Sequence, residues 1–184
     1  MGQLPLPIPL PVPLPVPLPV PISVSIPTAS CPNAILPAAQ LDDDQYHANV
    51  LCLVNDQRSL AGRRAVRPNG RLRRAAAQHS AAMVSQSFFA HAKRGGKGTL
   101  RRIRSAGYLR GARDWALGEN IAWGSEGLSS PASVVERWMQ SPKHRRNLLR
   151  PSFTEIGLGI ARGTPQSAGD GAGVTVTTDY GYRD

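Results

Sequence analysis

The first part of this 184-residue chain lacks charge altogether. No Lys, Arg, Asp or Glu occurs between Met1 and Leu41, although the whole chain has 22 basic and 12 acidic residues and a formal net charge of +10. Cysteine is scarce, with 2 residues, and aromatic residues make up only 5% of the chain. So few aromatic side chains argue against a base-stacking surface for single-stranded nucleic acid. The length suits one basic globular domain and excludes a multidomain enzyme.

The apolar N-terminal segment also lacks any long stretch free of proline. Proline occupies every odd position from Pro5 to Pro21, which removes N–H donors and excludes both a helix and a central strand. Polyproline II remains, so we expect residues 1–30 to form a leader or spacer, with no transmembrane segment. A secretory signal is the alternative for these residues, but the segment has no early Lys or Arg and no apolar helical stretch.

The two cysteines, Cys31 and Cys52, leave two interpretations open. A disulfide would join an entry strap of residues 31–44 to the first helical segment, and would add about 3 kcal/mol of stability in the chain-entropy model. Two buried thiols in a cytosolic protein are the alternative. Neither cysteine belongs to a Cys-x-x-Cys pair or has a flanking histidine, so the pattern does not indicate a metal or redox site.

Periodicity predicts four helices and two late strands. Helices are expected over residues 42–61, 69–86, 99–106 and 131–140, the second capped by Asn69 and the last opened by Ser130 and Pro131. Residues 156–160 alternate large side chains with glycine and residues 174–178 are β-branched, which predicts two strands joined through a turn region at 163–173. This order favours an α+β domain whose helices pack on a small antiparallel sheet.

Seven motifs then follow one another along the chain. They are Leu53-Val54-Asn55-x-x-Arg58, Ala77-x-His79-Ser80-x-x-Met83, Phe88-Phe89-Ala90-His91, Gly118-Glu119-Asn120-Ile121-Ala122, Trp138-Met139-x-Ser141-Pro142-x-His144-Arg145-x-Asn147-Leu148-Leu149, Ile156-Gly157-Leu158-Gly159 and Thr178-Asp179-Tyr180-Gly181. Together they resemble the bacterial branch of the CAP superfamily, named for cysteine-rich secretory proteins, antigen 5 and plant pathogenesis-related proteins. The resemblance covers residues 45–182, so we assign residues 45–184 to a CAP-like domain.

The resemblance implies an α-β-α sandwich, secretion and an open cleft that contains His91, His144 and Glu119. Two imidazoles and a carboxylate are a suitable ligand set for Zn²⁺ or another divalent metal. The fourth position of the family, a glutamate three residues after Trp138, falls on Ser141, so the set is incomplete. Glu136 is a poor substitute, because it lies about 140° around the helix from position 141. The placement of Cys31 and Cys52 also resembles that of secreted actinobacterial members.

From the residues alone, the same side chains have structural interpretations. His91 would interact with a helix C-terminus, Glu119 would accept backbone hydrogen bonds at a strand end, and His144 would belong to a basic helix start. His79, on a helical face among alanines, is predicted to be a packed core histidine.

Three arginine clusters suggest a competing function. They contain Arg71, Arg73 and Arg74; Arg101, Arg102 and Arg104; and Arg145, Arg146 and Arg150. Such runs are usually solvated helix faces, but they also attract anionic partners, including nucleic acid if the protein stays inside the cell.

These observations lead to an expected function. We expect a secreted, monomeric, non-enzymatic domain that binds a small apolar or anionic ligand, such as lipid or cell-wall material, and no nucleic acid. A metal-dependent extracellular hydrolase, with Glu119 as general base, is the first alternative. A purely structural cleft, with arginines that bind anionic surfaces, is the second.

Overall fold

The computed structural model describes residues 30–96, 98–166 and 173–184. The predicted leader or signal, except Ser30, and most of the turn region at 163–173 lie outside the described residues. Eleven elements follow in order: a 3-10 helix (Ala38–Gln40), α1 (Asp43–Leu60), β1 (Arg67–Pro68), α2 (Gly70–Ser85), α3 (Thr99–Ser105), β2 (Trp115–Ser125), a second 3-10 helix (Glu126–Ser129), α4 (Pro131–Gln140), α5 (Pro142–Leu148), β3 (Glu155–Arg162) and β4 (Gly173–Arg183).

The four predicted helices are confirmed to within about one residue at their ends, and three of them, α1, α2 and α4, begin at a capping side chain. The Asp42 side chain accepts from the N–H of Gln45, whose side chain accepts from the N–H of Asp42 in return. The Asn69 side chain accepts from the N–H groups of Arg71 at 2.9 Å and Leu72 at 3.2 Å. Ser130 caps α4, which has Pro131 in its first turn. These caps satisfy donors that have no partner within the helix.

The strands of the described residues form one four-stranded sheet in the order β1-β3-β4-β2. Strands β3 and β4 pair antiparallel, as do β4 and β2. The expectation of an antiparallel sheet needs one correction: the two residues of β1 pair parallel to β3, so the sheet is mixed. β1 runs in this direction because it belongs to the connection between α1 and α2, which passes along the outer edge of β3. At the opposite edge lies β2.

Helices cover both faces of the sheet, which gives the expected α-β-α sandwich. The predicted alternation in β3 explains how α2 packs: a side chain on Gly157 or Gly159 would collide with the backbone of α2. The large residues that alternate with these glycines, Ile156 and Leu158, point to the other face and join the main core. That core lies under α1, α4 and α5, and a smaller one lies under α2 and α3, around Leu72 and Ile103.

Periodicity does not predict β2 and α5, and both are needed for the candidate site. β2 contains residues with weak strand preference and does not alternate strictly between apolar and polar, and its position depends on pairing with β4 along its whole length. α5 has only seven residues. It is held by Arg58, a buried residue of α1, which donates to the carbonyl oxygens of Leu148 at 2.7 Å and Phe153 at 3.0 Å.

The disulfide interpretation of the two cysteines is confirmed. Cys31 and Cys52 are bonded, with a Cα–Cα distance of 5.8 Å. The strap at residues 31–44 is an integral part of the fold, because Ala34, Ala38 and Leu41 are buried in the main core. Among the described residues, no helix has both the length and the apolar character needed to cross a membrane.

Candidate functional site

The predicted site residues lie around the outer edge of β2. Glu119 pairs with Asp179 of β4, which pairs in turn with Gly157, so all three side-chain positions share the face covered by α2. The neighbouring residue, Asn120, faces α5, and its amide donates to the carbonyl oxygen of His144 at 3.0 Å. Glu119 and the His91 ring that contacts it therefore lie on one face of the sheet at this edge, and His144 lies on the other face. Glu119 lies inside the strand, so its interpretation as a strand-end residue is wrong.

Glu119 is the centre of a dense hydrogen-bond network. Its Oε1 atom is 2.7 Å from Nδ1 of His91 and accepts from the hydroxyl of Thr99 at 3.0 Å. Its Oε2 atom forms an ion pair with the guanidinium of Arg102. Arg102 also donates to the carbonyl oxygen of His91 at 2.8 Å. This arrangement fixes the His91 ring by its Nδ1 atom and leaves Nε2 as the nitrogen available to the cleft.

Two acidic groups lie side by side under this network. Burial alone would raise the pKa of Glu119, but the His91 hydrogen bond and the Arg102 charge outweigh it and lower the pKa. Burial, together with the negative charge of Glu119, raises the pKa of Asp179 well above its usual range. Glu119 is therefore the ionised member of the pair and Asp179 the protonated one.

His144 belongs to the first turn of α5 and is half-buried. Burial and the charge of His91 lower the pKa of His144, so its ring is neutral at physiological pH. The side chain of Asn147, one turn further along α5, donates to the carbonyl oxygen of Glu119 at 2.9 Å. The two histidines thus flank β2. The carboxylate of Glu119 bonds to the ring of His91, and the amide of Asn120 bonds to the backbone of His144.

Two cavities along β2 make up what we call the β2-edge cleft. One, of about 460 Å³, is lined by Phe89, Trp123, Leu128, Ser141 and His144 among others. The other, of about 340 Å³, contains His91, Thr99, Trp115 and Glu119. Ser141 lies at the junction of α4 and α5 and joins His144 in the first cavity. Glu136 does not substitute for the missing glutamate, since its carboxylate accepts from Gln140 at 3.2 Å.

The donors of His91, Glu119 and His144 do not form a compact ligand set. In the described part of the chain, the only three His, Cys, Asp or Glu side chains with ligand atoms within 4.8 Å of one another are Cys31, Cys52 and Asp56. Both sulfurs of that group belong to the disulfide, so it offers no thiolate. Both oxygens of Glu119 already have hydrogen-bond or ion-pair partners, so Glu119 does not suit direct coordination of a metal. The arrangement suits two imidazoles with Glu119 orienting one of them, and bound metal stays a prediction.

Sequence reasoning missed Arg102, Thr99 and Asp179 as parts of the site. Arg102 was expected on a solvated basic face, but it is buried, whereas Arg101 and Arg104 are exposed. Helical spacing contains the missing signal, because Arg102 lies on the same side of α3 as Thr99, Ile103 and Ala106.

The prediction for His79 is confirmed: it is buried, and its Nε2 atom is 3.0 Å from the carbonyl oxygen of Ala90.

Comparison with known proteins shows the family of this chain. Residues 51–180 match the Cysteine-rich secretory protein family, CAP. The chain belongs to the CAP family. The uncharacterized protein YkwD of Bacillus subtilis is 32% identical to this CAP protein over 114 residues, which cover 62% of the chain and 42% of YkwD. The chain therefore spans less than half the length of that relative.

Solved structures show the same fold at low identity. An extracellular protein from Bacillus anthracis that contains an SCP domain is 22% identical, with a TM-score of 0.58, over 76% of this CAP protein and 43% of that chain. An outer surface protein from Borrelia burgdorferi is 19% identical, with a TM-score of 0.64, over 78% and 97% of the two chains. At these identities the likeness supports the fold, and the site must be argued from its own residues.

Proposed function

We propose that this CAP domain is an extracellular binding module that holds a small ligand in the β2-edge cleft. The disulfide favours an oxidising compartment. The similarity to an extracellular SCP-domain protein and to an outer surface protein supports the same location.

The observation that carries the proposal is the composition of the larger cavity. Phe89, Trp123 and Leu128 give it an apolar wall, and Ser141 and His144 add polar groups at one side. Phe89 is 44% exposed and Leu128 is 59% exposed, which leaves apolar surface available to a ligand. Small-molecule sites commonly combine an apolar lining with a few polar groups that fix orientation.

Binding fits the cleft better than hydrolysis does. A general base must have a free lone pair within reach of the proton that it accepts. Glu119 is buried, has both oxygens engaged and has a lowered pKa. These properties suit a residue that orients His91 and balances the charge of Arg102.

Zinc remains a prediction for this cleft. His91 Nε2 and His144 would hold the ion, with Glu119 orienting the first imidazole through Nδ1, and a bound ion would supply a Lewis acid at the cleft floor. Calorimetric titration of zinc should show binding by the native chain and none by the variant with both His91→Ala and His144→Ala. Equal binding by the two proteins would contradict a histidine site.

A fluorescent apolar anion, 1-anilinonaphthalene-8-sulfonate, provides a test of ligand binding. We expect Phe89→Ser to weaken its binding roughly fivefold or more, because an aromatic wall is lost. Leu60→Ser is the matched control, since Leu60 is 70% exposed near the end of α1, outside the cleft lining. If Leu60→Ser weakens binding and Phe89→Ser does not, the cleft is not the site. If binding disappears at physiological salt whatever the variant, the exposed arginines bind the probe instead.

A further inference from the structure

The outer edge of β2 has carbonyl groups that are already occupied. Three side chains from α4 and α5 donate to three alternate carbonyl oxygens in the middle of the strand. Asn147 donates to Glu119 at 2.9 Å, Trp138 to Ile121 at 3.1 Å, and Arg137 to Trp123 at 2.8 Å. These carbonyl groups point away from β4, which is the only strand that pairs with β2 among the described residues.

The N–H groups of the same residues also point outward. In an antiparallel pair, the N–H and C=O of one residue lie on the same side of the strand. The β1 pairing supports this orientation, because the carbonyl oxygen of Ile156 accepts from Asn69 and thus points away from β4. The pairing register carries this orientation from Ile156 across the sheet. The backbone N–H and C=O groups of Asp179 face β3, and those of Glu119 point away from β4. Within the described chain, no backbone acceptor outside the sheet pairs with the N–H of Ile121 or Trp123.

Where it lines the larger cavity, the outer edge of β2 is therefore selective for acceptors. An ordinary open edge offers both N–H and C=O groups and is a template for another strand. Here an added peptide strand would find donors for its carbonyl groups, but the acceptors for its own N–H groups are already engaged by side chains, and an N–H group left without a partner is costly. A carboxylate accepts only and has no N–H to satisfy. Two outward N–H groups two residues apart are about 7 Å from each other.

We propose that this edge binds a small dianion, such as a dicarboxylate with an apolar spacer, through the N–H groups of Ile121 and Trp123. The spacer lies against Phe89 and Leu128, and Ser141 and His144 are the adjacent polar groups. This inference rests on the proposed function, since it uses the same β2-edge cleft. It adds the ligand class and assigns recognition to the backbone of β2.

Chemical-shift mapping of the ¹⁵N-labelled full chain with adipate tests the inference. The carboxylates of adipate are about as far apart as the two N–H groups. At physiological ionic strength, we expect the backbone amide signals of Ile121 and Trp123 to shift downfield and to saturate together. Acetyl-trialanine amide, a neutral extended peptide, should shift neither signal. Equal or stronger binding by this peptide would overturn the inference, as would adipate shifts confined to the arginine clusters.

A proline variant removes one of the two donors. Proline is tolerated on edge strands where its N–H would face outward, so Trp123→Pro deletes the donor while Trp123→Ala keeps it. We expect adipate to bind roughly tenfold more weakly to Trp123→Pro than to Trp123→Ala, the effect of one hydrogen bond to a charged group. Equal affinity would contradict the assignment. If Trp123→Pro does not fold, the amide shifts of the native chain decide alone.

The two proposals fail in distinguishable ways. If the anilinonaphthalene probe shifts Phe89 and His144 signals while adipate leaves both β2 amides unchanged, the dianion inference is wrong and the binding cleft stands. If neither probe moves any signal of the β2-edge cleft, both are wrong.

Discussion

Arg102 and the His91 hydrogen bond together set the charge of Glu119 in the cleft. The Arg102 guanidinium is buried, pairs with Glu119 and donates to the backbone of His91. Without it, Glu119 would be a buried carboxylate next to the buried Asp179, and two such groups cannot both ionise at low cost. Arg102 therefore allows Glu119 to keep its charge and hold the His91 ring.

Removing this guanidinium should destabilise the fold. We expect Arg102→Met to lower the free energy of unfolding by about 3–5 kcal/mol, because it leaves a buried charge without its partner. Arg104→Met, an exposed neighbour on the same helix, should change it by no more than about 0.5 kcal/mol. Urea unfolding of the three proteins measures both values. Similar stability of the two variants would show that the ion pair is not important for stability.

His47 should contribute to acid sensitivity. Burial and then the charge of Arg73 lower its pKa, which outweighs the opposite effect of Asp43 and Asp44, and Arg162 adds the smallest contribution. The unfolded chain therefore binds a proton at this residue more readily than the folded one. Protonation of His47 thus favours the unfolded chain. The free energy of unfolding is therefore unaffected by this residue above about pH 6.5 and falls as the pH drops below that value.

The variant His47→Phe tests this titration, because it keeps an aromatic ring without ring nitrogens. We expect its free energy of unfolding to fall less than that of the native chain between about pH 7 and about pH 5. Urea unfolding at both pH values is the measurement. The same loss in both proteins would assign the acid sensitivity to other groups, such as His79 and His144, whose pKa values are also lowered.

At the scale of elements, local signals predict the helices better than the cleft. Asn69 as an N-cap and apolar residues at helical spacing predict helix α2, and these signals act within a few residues. The position of β2 depends instead on pairing with β4, some 60 residues later. Glu119 belongs to β2 and His144 lies on the opposite face of that strand. Only the family resemblance predicted that these two residues share a cleft.

The contact between α2 and β3 provides a prediction at this scale. A Cβ atom on Gly159 would collide with the backbone at Ala76 and Ala77, which no side-chain rotation relieves. We expect Gly159→Ala to destabilise the fold by about 4 kcal/mol or more, the range of severe overpacking. Gly127→Ala is the control, because a Cβ there meets nothing within 4 Å. Thermal unfolding compares the two, and an equal effect would contradict the close approach of α2.

At the scale of the whole molecule, the sheet ends in an edge strand that is neither fully covered nor fully open. Helices α4 and α5 cover its carbonyl groups from one face, and the segment that contains Phe89 and His91 approaches from the other. The cleft is thus a consequence of the sandwich itself, because two helical layers meet at the end of the sheet without closing over it. The net charge of +10 surrounds this cleft with a field that favours anionic ligands.

The central claim is that a ligand binds along β2, between the two helical layers. Intermolecular NOEs between 1-anilinonaphthalene-8-sulfonate and the labelled full chain test it most directly. We predict cross-peaks from the naphthalene ring to the side chains of Phe89, Trp123 and Leu128. Cross-peaks only to Leu51 and Leu158, in the separate cavity of about 350 Å³ between α1 and β3, would contradict the account.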